Sequence, residues 1–140
     1  SSENKDGVYP LPIEEESDGT QKLFAYAGPW LDVLANGRVL LIDALNNSFH
    51  PFMVKFLVEL IHSSNSNSKN GQVIFSTHDT SILEQKHMRR DQIWFVEKDQ
   101  MNSSNLYPLS DFSPSKEDSI GKNYLWGKYG ALPFIGELDL

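Results

Sequence analysis

The chain has 140 residues, of which 39% are hydrophobic, enough for one domain or a piece of one with a core of its own. A formal charge of −7 argues against a broad nucleic-acid-binding face, which needs clustered Lys and Arg to neutralise phosphates. The absence of cysteine excludes disulfide frameworks and thiolate metal sites and fits a cytoplasmic protein.

Residues 1–13 are polar and acidic, with Pro10 and Pro12, and read as an N-terminal loop without a signal-peptide core. The loop character continues through Glu14-Glu15-Glu16 to residue 19. From Thr20, the apolar positions Leu23, Tyr26, Ala27, Trp30, Leu31 and Leu34 follow helical spacing, with Pro29 expected to kink the helix or begin a new turn. Asn36-Gly37 ends it. Val39 to Ile42 is a continuous apolar run, the pattern of a strand buried on both faces. Pro51 suits the first turn of a second helix, with Met53, Phe56, Leu57 and Leu60 on one face. The stretch HSSNSNSKNG, residues 62–71, reads as a mobile polar loop. Gln72 to Ser76 is a second strand and Ile93 to Glu97 a third, with a short helix between them. This order predicts α/β layering around a parallel sheet. The last segment, residues 110–140, is rich in Ser, Gly and Pro. It carries Tyr124, Trp126, Tyr129 and Phe134, which suggest docking onto the body or a partner. No apolar run reaches membrane-spanning length, and Lys86, His87, Arg89 and Arg90 read as a solvated basic loop.

Three short stretches carry chemistry. Asp43 ends the first apolar strand, where a carboxylate can hold Mg²⁺, usually through water, beside a nucleotide's phosphates; Asp is equally common as a turn or helix cap. IFSTHD, residues 74–79, places His78 at the end of the neighbouring strand, where an imidazole can donate to a γ-phosphate or orient a water. Ser17 and Gly19 precede the first helix, whose N–H groups and dipole favour an anion; taken alone, they read more simply as an N-cap and turn.

In this order, SDGTQ, LLIDA, LNNSFHP and STHD resemble the signature, Walker B, D-loop and switch-histidine motifs of the C-terminal half of an ABC-type ATPase head. With RRDQIWFVEKD and YLWGKYGALPFI, the chain looks like the SMC-like AAA ATPases of RloA-like and abortive-infection systems, relatives of the ATPase half of OLD nucleases. The resemblance spans about residues 14 to 135. It implies a P-loop NTPase-type fold of which residues 14–109 supply the C-terminal lobe only. Ser17 and Gly19 would contact the γ-phosphate of ATP on an opposite subunit. Asp43 would hold Mg²⁺, and His78 would sense the γ-phosphate. Asn46, Asn47, Ser48 and Phe49 would line a dimer interface.

Position 44 should carry the glutamate that polarises the hydrolytic water, and Ala44 can neither accept a proton nor orient water. Natural decay and a deliberate glutamate-to-alanine change compete as explanations. Retention of Ser17, Gly19, Asp43 and His78 favours the second. No G-x-x-x-x-G-K-[ST] occurs, so the Walker A residues are expected in an N-terminal lobe outside these 140 residues. The implied partners are that lobe, a second copy of the head, and a Toprim-like or HNH nuclease effector. A competing reading is a non-catalytic scaffold that binds and regulates a nuclease or toxin. A nuclease activity of the chain itself fits less well, with only Asp43 and Asp79 placed near sheet edges.

Overall fold

The computed structural model describes residues 11–47, 49–84, 88–99, 101–115 and 118–132. The expectations for residues 1–10, Ser48, Lys86, His87 and Phe134 lie outside these. The chain forms two compact units, residues 1–78 and 79–140.

The first unit begins with a single helical turn, Ile13–Glu15, and then α1, Asp18–Asn36, two residues earlier than the apolar pattern suggests. Ser17 explains the early start: its hydroxyl accepts from the Thr20 amide and so satisfies one of the donors that a helix start leaves open. The helix continues across Pro29. It ends where Gly37 takes a left-handed conformation and its amide returns to the Val33 carbonyl. The first strand, β1 (Val39–Ile42), follows. A short turn at Leu45–Asn47 leads to α2, Pro51–His62, which is entered through Pro51 at its first position. The second strand, β2 (Gln72–Phe75), pairs with β1 in parallel, Val39 opposite Gln72 and Ile42 opposite Phe75.

Trp30, Val33, Ile42, Leu45, Val54, Leu57 and Val58 are buried in this unit. The helix faces therefore differ from those expected. Val33 replaces Leu31 on α1, and Val54 and Val58 take the place of Phe56 on α2, leaving Leu31 and Phe56 exposed. Nor is β1 buried on both faces: Ile42 is covered, while Leu41 is 73% exposed. A two-stranded sheet with helix packing on one side leaves alternate residues of the other side in solvent.

The polar stretch before β2 is tied down, not left loose. The Asn67 side chain donates to the carbonyls of Ile61 and Gly71 and accepts from the Gly71 amide. Ser66 donates to the Leu60 carbonyl. These side chains supply the partners that an irregular backbone otherwise takes from water.

In the second unit the third strand does not extend the parallel sheet. β3 (Trp94–Lys98) pairs antiparallel with β4 (Ser104–Pro108), a strand that the sequence pattern did not announce. Asp99 shapes the connection, its carboxylate accepting from the amides of Met101 and Ser103. In place of one short helix before β3, there are helical turns at Thr80–Glu84 and Arg90–Gln92. Ile93, Phe95, Leu109 and Tyr129 form the core here. The Phe95 ring stacks on Tyr124 at 5.5 Å and on Tyr129 at 5.7 Å. Of the last segment's aromatics, Tyr124 and Tyr129 thus belong to this unit's own packing, while Trp126 is 81% exposed. Tyr124 lies in α3 (Ile120–Leu125), whose first turn is held by Glu84 accepting from Ser119 and the Gly121 amide.

Candidate nucleotide-facing strand edge

Parallel pairing brings the C-terminal ends of β1 and β2 side by side, the edge where ligands of such sheets bind. The two chains stay paired beyond the strands. The Ser76 amide donates to the Ile42 carbonyl, and the Leu45 amide donates to the Ser76 carbonyl.

Side chains add two bridges. Ser76 donates its hydroxyl proton to Asp43 Oδ1 at 2.5 Å and accepts from the Ala44 amide at 2.7 Å. Asn46 reaches across to the loop after β2. Its carbonyl oxygen accepts from the Thr77 hydroxyl at 2.9 Å and the His78 amide at 3.4 Å. Its amide nitrogen lies 2.8 Å from His78 Nε2. Leu45, fully buried between Ala44 and Asn46 in sequence, anchors the turn.

Asp43, Ser76 and His78 are exposed, so the edge offers a carboxylate and an imidazole to solvent. Ala44 adopts φ +50°, a left-handed conformation that costs an alanine roughly 1–2 kcal/mol. The Ser76 hydroxyl on its amide and the return of the Asn47 amide to its carbonyl hold it there.

Asp43, Ala44, Asn46 and His78 are therefore neighbours. Asn46 directs its amide within the chain, toward His78, while Asn47 is exposed and Phe49 packs edge-on against Tyr26 at 5.1 Å. Ser17 and Gly19 stand apart, at the far end of α1. At 1.5 Å per residue, Ser17 is roughly 13 Å along the helix axis from Tyr26. Among the described residues, the Ser17 hydroxyl hydrogen-bonds locally, with the amide and side chain of Thr20. A Cβ at Gly19 would meet nothing nearer than Ser17 Oγ at 3.9 Å, so no close backbone approach demands glycine there. Asp79 lies in the second unit, where Oδ1 accepts from the Ser81 amide as a turn cap.

The bridging roles of Ser76 and Asn46 were not recognised in the sequence. The available signal was register: Ser76 follows β2 as Asp43 follows β1, so the two meet across the edge.

A family model described as "AAA domain, putative AbiEii toxin, Type IV TA system" matches residues 3–84, more than half of the chain. The chain belongs to this family of AAA domains. Comparison with curated proteins and with solved structures returns no match. Membership suggests an ATPase-like, nucleotide-binding function for this AAA domain and implies use of a nucleotide with Mg²⁺. The donor set fits a cation held partly by ligand and water. Among the described residues no group of three His, Cys, Asp or Glu surrounds a metal position, but Asp43 is exposed and oriented. Mg²⁺ commonly takes one or two carboxylates and completes its shell with water and phosphate oxygens. No helix among the described residues is long and apolar enough to cross a membrane.

Proposed function

We propose that the AAA domain is the C-terminal half of an ABC-type, SMC-like ATPase head that binds ATP and assembles around it. The observation that carries this reading is the shared edge of β1 and β2, with Asp43 and His78 on adjoining loops joined by Ser76 and Asn46. Asp43 holds Mg²⁺ through water, and the ion supplies positive charge to the phosphate oxygens. His78 donates a hydrogen bond to the γ-phosphate. An N-terminal lobe supplies the Walker A loop. Ser17 and Gly19, at the start of α1, close the nucleotide site of a second copy.

Ala44 stands where the head needs a base for the attacking water. Its methyl group leaves binding intact and removes the group that acts on water in the transition state. This form accordingly holds ATP without turning it over. In the complete head, Ala44→Glu should raise single-turnover hydrolysis at saturating ATP by roughly 10²- to 10⁴-fold, with nearly unchanged ATP affinity. Equal rates for the two forms would remove position 44 from the catalytic role.

The family description, with its putative toxin and toxin–antitoxin system, supports a place in anti-phage defence by abortive infection. There the ATP-dependent dimer would control an effector such as a Toprim-like or HNH nuclease. The scaffold alternative draws on Ala44 and on the aromatic last segment, whose Trp126 is exposed, while the ordered Asp43–Ser76 pair favours the ATPase reading.

A further inference from the structure

We propose that Asn70-Gly71 is a covalent modification site, a deamidation site that the side chain of Asn67 holds closed. Two Asn-Gly pairs occur in the chain, Asn36-Gly37 and Asn70-Gly71. A glycine after asparagine has no side chain to keep its nitrogen away from the asparagine carboxamide carbon. In the reaction the Gly71 nitrogen, its proton passed to hydroxide, bonds to Asn70 Cγ as the Cγ–Nδ2 bond breaks. The departing Nδ2 group takes a proton from water and leaves as ammonia, and a succinimide ring closes. Water then adds to one of the two ring carbonyls and opens the ring to aspartate or isoaspartate.

The carbon under attack is open and the attacking nitrogen is covered. Asn70 is exposed, in a left-handed conformation at φ +56°. Gly71 is buried, and its amide donates to Asn67 Oδ1 at 2.7 Å. While that bond stands, the nitrogen keeps its proton and is not a nucleophile. The acceptor is itself fixed, because Asn67 Nδ2 donates to the Ile61 and Gly71 carbonyls at 2.8 Å each. One side chain therefore holds both polar backbone groups of Gly71. Asn36-Gly37 is closed by other means. Asn36 Nδ2 donates to Asp32 Oδ1 at 2.6 Å, which draws its carboxamide back along α1, and the Gly37 amide donates to the Val33 carbonyl at 2.9 Å. Neither bond involves Asn67, so the same dipeptide serves as a control within the chain.

Opening the site has a structural cost. Isoaspartate lengthens the main chain just before Gly71, which lies so close to Val33 that a Cβ would not fit. Gln72, the first residue of β2, donates its amide to the Arg38 carbonyl at 2.8 Å, and that bond lies immediately downstream of the lengthened link.

The site owes nothing to nucleotide, and it is tested on the full 140-residue chain held at alkaline pH without ATP. Peptide mapping by mass spectrometry reads the replacement of NH₂ by OH at each asparagine over time. The folded parent should keep Asn70 intact far longer than the same chain unfolded in guanidinium chloride. Asn67→Ala, checked for a parental circular dichroism spectrum, should convert Asn70 roughly 10-fold faster, about what the loss of one or two hydrogen bonds permits. Asn36 should keep its parental rate. An unchanged Asn70 rate in the folded variant, or equal acceleration at Asn36, overturns the proposal. If the variant does not fold, hydrogen exchange of the Gly71 amide in the parent decides. Slow exchange is expected, and exchange as fast as in the unfolded chain overturns the closed site.

Discussion

Gly71 illustrates how little room some positions of the first unit leave. A Cβ built there would lie 2.5 Å from the Val33 carbonyl oxygen and 2.6 Å from the Val33 side chain. Both belong to α1, and the carbonyl already receives the Gly37 amide. Gly71→Ala must therefore push β2 away from α1 or tear the Asn67 clamp. We expect a loss of about 1–3 kcal/mol, the usual cost of overpacking, seen as a lower urea midpoint with an unchanged slope. Gly28, whose added Cβ would meet nothing within 4 Å, is the control. There alanine should be neutral or stabilising by the roughly 1 kcal/mol that separates the two residues in a helix. Equal effects at the two glycines would show that the close approach at Gly71 is not what limits it.

The β3–β4 hairpin shows what a single polar side chain does for an element. Tyr107 on β4 donates to the Tyr129 carbonyl at 2.9 Å and lies against the Glu97 carboxylate of β3. Burial, and then the negative charge of Glu97, raise its phenol above the ordinary tyrosine value. A raised acid favours the protonated form in the folded state. Its stabilisation is thus complete below the unfolded value near 10 and is lost as pH climbs through the folded value. Tyr107→Phe should cost about 1 kcal/mol at neutral pH through the lost hydrogen bond. The gap between parent and variant in urea midpoint should then close at strongly alkaline pH. A constant gap would assign Tyr107 a packing role alone.

The same hairpin marks where the sequence ceased to be legible. α1, β1, α2 and β2 were readable because apolar spacing reports period, and period is a local property. Strand partners are not local. Ile93 to Glu97 has the composition of any strand, and nothing in it says that Ser104–Pro108 will pair with it, since Ser, Asn and Pro weaken the strand signal. Burial was legible only in part for a related reason. Leu41 and Phe56 are as apolar as Ile42 and Leu57, and only the packing of α1, β1 and α2 decides which are covered. At the site, Asp43 and His78 were legible as chemistry at strand ends. The contacts of Asn46 with Thr77 and His78 join positions 31 and 32 residues apart, which no local pattern reports.

For the whole molecule, the test of the proposed function is assembly. α1 offers its N-terminus with Ser17 exposed at the cap, and the Ser17 hydroxyl is held by Thr20. If that end closes a neighbour's ATP site, nucleotide joins two complete heads, and the Ala44 form should remain joined because hydrolysis is stopped. Light scattering should show a Mg-ATP-dependent doubling of mass in the Ala44 form. Ser17→Arg should abolish it while sparing ATP binding to the protomer, because the long cation fills the phosphate position. Assembly that ignores nucleotide, or that survives the Ser17→Arg substitution, would leave residues 17–21 as a helix start only and favour the scaffold alternative.

The pairing of Ile42 with Phe75 has a consequence for which length changes the chain can accept. Ser76 meets Asp43, and Asn46 meets His78, only because each loop leaves its strand at the same level of the ladder. A residue inserted within β2 would turn its following side chains to the opposite face and carry Ser76 off Asp43, even if every residue of the site were retained. A residue inserted between Ser63 and Asn65 instead falls between Asn67 and the Ile61 carbonyl that it holds, so it strains the clamp but leaves the register of β2 with β1 unchanged. Across relatives, the distance from Gln72 to His78 should therefore be fixed to the residue.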